Sequence, residues 1–141
     1  MKFSITQEEV LKIMAYKFKF NDGGRKAAGY TTEVDDCALR SIAIALDKNY
    51  QQLNQELTIL NRKEVFSGCS ISTVQFYLQK ANWTYKKTPH TYLRRPFLPD
   101  NKTIILKLSK HITVLQNGLI LDISNPADGG LRKVHGYWEK N

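Results

Sequence analysis

Cys37 follows two acids, Asp35 and Asp36, and heads the run Ala38-Leu39-Arg40-Ser41-Ile42-Ala43-Ile44-Ala45-Leu46, which has no polar residue after Ser41. Acids before an apolar run mark a helix start, so the pattern predicts a helix buried on most sides with Cys37 in its first turn. Open N–H groups and the positive end of the dipole favour thiolate over thiol there. Cysteines so placed, with a histidine near, ionise as low as roughly 3.5–7.5. The chemistry on offer is nucleophilic attack by sulfur. The plainer alternative is a small buried hydrophobe opening a core helix, the common fate of free cysteine.

A nucleophilic thiol needs a base, and three histidines are present. His90, beside Pro89 in an irregular basic stretch, and His135, near the end of the chain, both read as surface decoration. His111 is different. Gln116-Asn117-Gly118-Leu119 signals a two-residue type I′ hairpin that pairs Gln116 with Leu119, which sets Thr113 opposite Asp122 and His111 opposite Ser124. His111, Thr113, Leu115, Ile120, Asp122 and Ser124 then share one side. Ile112, Val114, Leu119, Leu121 and Ile123 share the other, which is wholly aliphatic and therefore core.

Asp122 stands diagonal to His111 across the strands, a position from which a carboxylate can hold an imidazole in one tautomer and stabilise it once protonated. A solvent-facing polar side that merely carries a histidine fits equally well. Cys69 is a rival nucleophile, since it too precedes a helix, but no pair of acids flanks it. Asn125 is a rival to Asp122. Asp36 reads as the helix cap, and Arg40 as a solvated arginine one turn beyond Cys37, with Asp36 or an acidic substrate group as its other partners.

Several blocks combine into a resemblance. They are Asn21-Asp22-Gly23-Gly24-Arg25, Ala28-Gly29, Asp36-Cys37 with Arg40 and the Ile-Ala-Ile-Ala run on to Tyr50, Lys110-His111, Asn117-Gly118, Asp122, and Val134-His135-Gly136-Tyr137-Trp138. In order and spacing they resemble a group of small phage and mobile-element proteins regarded as papain-like cysteine hydrolases. The likeness covers nearly all of the chain after Tyr16. It implies Cys37 as nucleophile, His111 as general base and then acid, and Asp122 as the residue that orients the imidazole. It also implies an oxyanion site made by the Cys37 backbone N–H with Asn21 as second donor. The chain departs from the pattern at Asp35, where the group has glycine, and at Thr31, where papain itself places a glutamine.

The elements that must position these residues follow from periodicity. Ser4 to Ala15 predicts a short amphipathic helix capped by Ser4 or Thr6, an appendage to the domain. Tyr16 to Phe20 alternates like a half-buried strand and ends at the Asn21-Asp22-Gly23-Gly24 turn. A loop from Arg25 to Asp36 delivers the chain to the Cys37 helix. Tyr50, Leu53, Leu57 and Leu60 mark a surface helix, and Ile71, Val74 and Leu78 a third, capped by Ser70. Trp83 to Lys86 reads as a strand, while Pro89, Pro96 and Pro99 confine 88–101 to irregular structure. Thr103–Leu108, His111–Leu115, Leu119–Ile123 and Leu131–Trp138 are strands, with a turn at Asp128-Gly129-Gly130. Helices followed by strands make an α+β protein: a helical part with the buried nucleophile helix, packed on an antiparallel sheet.

The 141 residues fit a single domain, 1–141, long enough to bury a core without staples. Two cysteines give no disulfide framework, and no Cys/His spacing suits zinc, so no cofactor or metal is expected and metal-dependent hydrolysis lacks a ligand set. With no signal-peptide pattern and no stretch approaching about 18 apolar residues, a cytoplasmic protein is expected, in a host cell if phage-encoded.

There are 21 Lys and Arg against 13 Asp and Glu, a net charge of +8 that favours acidic partners. Lys86, Lys87, Arg94 and Arg95, interleaved with Tyr85, His90, Tyr92 and Phe97, form the densest basic stretch, a pattern able to contact a nucleic-acid strand. A solvated basic loop accounts for it as well. The expected function is cleavage of an amide, peptide or isopeptide bond by a Cys-His-Asp triad, with acyl transfer on the same groups. The substrate would be a protein or peptide, a host protein being one candidate. The alternative is an inactive host-takeover or nucleic-acid-binding protein on the same fold.

Overall fold

A computed structural model describes residues 4–31 and 35–141. In chain order the elements are α1 (Gln7–Met14), β1 (Lys17–Phe20), α2 (Cys37–Leu46), α3 (Tyr50–Asn61), α4 (Ile71–Lys80), β2 (Trp83–Tyr92), β3 (Thr103–Leu108), β4 (His111–Gln116), β5 (Leu119–Asp122) and β6 (Lys133–Lys140). Four helices and one six-stranded sheet make the α+β class. The loop expected over 25–36 is described as far as Thr31 and again from Asp35. Thr32, Glu33 and Val34 lie outside the described residues, as do Met1 to Phe3.

Local sequence chemistry explains the helix boundaries. Thr6, Asn49 and Ser70 each accept a hydrogen bond from the backbone N–H three residues on, capping α1, α3 and α4. Helix α2 ends where Asp47 turns left-handed and its N–H and that of Lys48 reach back to the last carbonyls. Gly23, at φ +69°, lies so close to α2 that a Cβ would come 2.9 Å from the Arg40 carbonyl oxygen, so this turn seats against the nucleophile helix.

The sheet order is β1-β5-β4-β3-β6-β2, with β1 parallel to β5 and the other pairs antiparallel. The β4–β5 register pairs Gln116 with Leu119, Leu115 with Ile120 and Val114 with Leu121, as the Asn117-Gly118 turn requires. Two apolar clusters sandwich the sheet. Helices α2, α3 and α4 contribute Leu39, Ile42, Leu53, Leu57, Val74 and Leu78 to one, where they meet Ile105, Ile112 and Trp138. The other gathers Leu115, Ile120, Ile104 and Leu106 under Tyr16, Leu93, Leu98 and Ala127.

Three expectations are corrected here. The side that carries His111, Thr113, Leu115, Ile120 and Asp122 is no solvent face: Thr113, Leu115 and Ile120 are wholly buried beneath irregular segments. Strand β1 is exposed along its length because it is the sheet edge, and Tyr16 just before it takes the buried position. Strand β2 runs on to Tyr92 through Pro89, which an edge strand tolerates at the register shift between Lys87 and Thr91. Among the described residues no helix is long and apolar enough to cross a membrane.

Candidate active site

The site forms at the end of the sheet where β4 begins and β5 finishes, beside the start of α2. Cys37 is the first residue of α2, half-buried, and His111 the first of β4. Both line one cavity of about 400 Å³, with Asp35, Ala38, Gly68, Cys69, Ile71, Lys107, Leu108, Lys110 and Ile112. Cys37 acts on the His111 ring across this cavity, helping Asp122 to favour the charged imidazole.

The far side of the imidazole is fixed. His111 Nε2 lies 2.7 Å from Asp122 Oδ2, and a carboxylate only accepts, so Nε2 carries the proton and Nδ1 is the nitrogen left for the thiol. Asp122, 2 % exposed, also accepts from Thr113 Oγ1 at 2.6 Å, from its neighbour Ile123 N at 2.7 Å and from Arg40 Nη1 at 3.1 Å. Each carboxylate oxygen thus takes two donors. Burial works against the Asp122 charge, but the hydrogen bonds from His111 and Thr113 outweigh it and hold its pKa below the ordinary value. For His111, burial likewise opposes the charge; the Asp122 and Cys37 partners overcome it and raise the imidazole to about 9.

Behind this pair runs a buried ionic chain that the sequence reading placed differently. Asp36 occupies the cap position of α2 but makes no capping bond. Its Oδ1 accepts from Arg40 Nε at 2.8 Å and Arg25 Nη1 at 3.1 Å, and its Oδ2 from the Tyr50 hydroxyl at 2.7 Å. Arg40, expected in solvent, is 5 % exposed and bridges Asp36 to Asp122. Burial and the Asp36 partner push the Tyr50 hydroxyl well above its usual pKa, so it stays a donor.

Asn21 is not brought to the cavity. Its side-chain oxygen accepts from Gly23 N at 2.9 Å, shaping the turn, and the residue lines a different hollow near the C-terminal end of α2. Asn125 is engaged in its own turn, accepting from Ala127 N at 3.0 Å, which leaves the imidazole contact to Asp122. His90 and His135 are exposed and line a separate hollow beside β2.

Cys69 shares the Cys37 cavity, where burial first and the nearby Cys37 second raise its thiol to about 11. That suits a protonated bystander. Among the described residues no cluster of three His, Cys, Asp or Glu could hold a metal ion. The residues missed from sequence were Arg25 and Tyr50 as partners of Asp36, which no local spacing announces, whereas the hairpin register had already set Thr113 opposite Asp122.

No protein-family model, curated protein or solved structure matches this chain.

The raised His111 pKa makes a stability prediction with a definite sign. A histidine at about 9 when folded and about 6.5 when unfolded contributes stability that is fully present below 6.5 and lost as pH rises through 9. The loss is at most about 3 kcal/mol. Denaturant melts of the wild type and His111→Gln at several pH values should show their difference shrinking over that window. A difference independent of pH would contradict the raised pKa.

Proposed function

We propose that the protein is a thiol hydrolase of papain-like, phage type, acting on an amide, peptide or isopeptide bond in a cytoplasm. The observation that carries this reading is an imidazole bound by a buried carboxylate at 2.7 Å while sharing one cavity with a cysteine at a helix start. An imidazole charged up to about pH 9 is the partner that a thiolate requires.

In the first step Cys37 Sγ attacks the carbonyl carbon, and its developing oxyanion is met by the backbone N–H at the start of α2, which no Asp36 cap occupies. His111 gives its proton to the departing amine nitrogen as the C–N bond breaks, leaving a thioester on Cys37. Neutral His111 then takes a proton from water, the hydroxide attacks the thioester, and collapse releases the acid, the thiolate and the imidazolium. An amine in place of that water would give acyl transfer by the same groups.

The nucleic-acid alternative has less behind it. In the basic stretch Lys86 pairs with Glu139 at 2.9 Å, Arg95 with Asp100 at 3.4 Å, and Arg94 donates to the Gly130 carbonyl at 2.9 Å while stacking on Tyr92 and Phe97.

Iodoacetamide near neutral pH, followed by peptide mapping, tests the proposal. Cys37 should be alkylated well before Cys69, and His111→Ala should abolish that preference. Equal labelling of the two thiols in the wild type would defeat it. Incubating wild type and Cys37→Ala with host lysate, then seeking cleaved or acyl-trapped proteins by mass spectrometry, would identify substrates.

A further inference from the structure

The cavity beside Cys37 has a charge pattern that the hydrolytic chemistry does not use. Strand β3 reads Thr103-Ile104-Ile105-Leu106-Lys107-Leu108, so alternation puts Lys107 on the same side as Ile105. Ile105 belongs to the helix-side core, and Lys107 is paired in register with Ile112 of that same core. A half-buried lysine at such a position breaks the apolar pattern and invites an anionic partner for its ammonium.

Among the described residues none provides that partner: neither Lys107 nor Lys110 has a carboxylate within 4.0 Å. Lys110 stands at the left-handed turn between β3 and β4, next to His111, and lines the same cavity. Among the described lining residues Lys107 and Lys110 stand against one acid, Asp35, the His111 imidazolium being matched by the Cys37 thiolate and the rest being Cys69, Gly68 and aliphatic side chains. A cavity whose field is positive attracts anions and weakens the approach of cations.

We infer that the substrate group seated beside Cys37 carries a carboxylate, neutralised by Lys107 and Lys110. This rests on the thiol-hydrolase reading and narrows it to acyl donors with an acidic group near the scissile carbonyl. Ile71, half exposed at the cavity, is the apolar side chain along which the carbon chain of that group would lie.

Two alkylating reagents of nearly equal size test the charge preference on the intact protein. Iodoacetate is an anion and iodoacetamide is neutral, and each transfers its carboxymethyl or carbamidomethyl group to Cys37 Sγ with loss of iodide. The quantity read is the ratio of their rates at Cys37, followed by mass spectrometry. Changes in thiol nucleophilicity affect both reagents and cancel. The ratio in the wild type should exceed that of a free cysteine peptide and fall about fivefold to tenfold in the Lys107→Met/Lys110→Met protein.

Asp35→Asn should raise the ratio, and added salt should shrink the wild-type excess without any substitution. The salt series keeps the test open should the double variant fold poorly. A ratio that ignores both lysines, or a wild-type excess indifferent to salt, overturns the inference. The hydrolase reading fails separately, by equal iodoacetamide labelling of Cys37 and Cys69, because the ratio is measurable at Cys37 whatever its absolute rate.

Discussion

Asp122→Asn is expected to slow Cys37 alkylation about 10²-fold near pH 7.5 and to move the basic limb of its pH profile down from about 9. An asparagine keeps the shape but changes the polarity of one arm. Its oxygen can still accept from Arg40 Nη1 and Ile123 N, which leaves its NH₂ facing His111 Nε2 and the Thr113 hydroxyl, both donors to the carboxylate. The imidazole is then driven to the other tautomer, with its proton on Nδ1, the nitrogen that must be free to take a proton from sulfur. It also loses the negative charge that kept it ionised against burial, so its pKa falls. Rates of iodoacetamide incorporation from about pH 5 to 10 distinguish the variant from the wild type. Superimposable profiles would show that Asp122 does not control the imidazole.

Arg40→Met is expected to be the most destabilising single change in the network. The arginine is 5 % exposed and supplies one donor to each of two buried carboxylates, 1 % and 2 % exposed. A methionine of similar length fills the space, but two acids are left facing each other without the cation between them. Removing one partner from a buried ionic group costs about 3–5 kcal/mol. That corresponds to a fall in Tm of roughly 10 °C for a protein of this size. Adding Asp36→Asn should recover part of the loss, since one of the two facing charges then disappears while Arg25 and His111 still attend the site. Thermal unfolding of the four proteins in the cycle measures this. Strict additivity would mean that Arg40 and Asp36 act independently.

Much of this arrangement was legible in the sequence wherever a local signal fixed geometry. The Asn117-Gly118 turn determined the β4–β5 register, and the register alone brought His111 within reach of Asp122. Caps at Ser70, and at Thr6 as one of two candidates with Ser4, marked two helices because a short oxygen-bearing side chain before an apolar run has few other uses, while Asn49, whose sequence signal is that of a helix breaker, caps α3.

What escaped depended on segments distant in sequence. Asp36 stands where a cap is expected, yet Arg25, Arg40 and Tyr50 offer its carboxylate charge-assisted and hydroxyl donors that outcompete backbone N–H groups. Nothing periodic announces that 93–98 and 125–131 fold over the His111 side of the sheet, because those covers hold no strand or α-helix, only a short 3-10 turn at Asp128–Gly130. Asn21 invited a catalytic reading through the company it keeps, but an Asn two residues before a glycine most often closes a turn, and here it does.

Strand β1 has a consequence for how the centre holds its shape. It clips along β5, and at its far end the Asn21 N–H donates to the Asp122 carbonyl at 2.9 Å. The backbone of the acid is therefore bolted by β1, while β4 holds its carboxylate through His111 and Thr113. A nick in the Gly23-Gly24 turn would draw that bolt, letting β5 fray and the carboxylate drift while every group able to do chemistry remained intact.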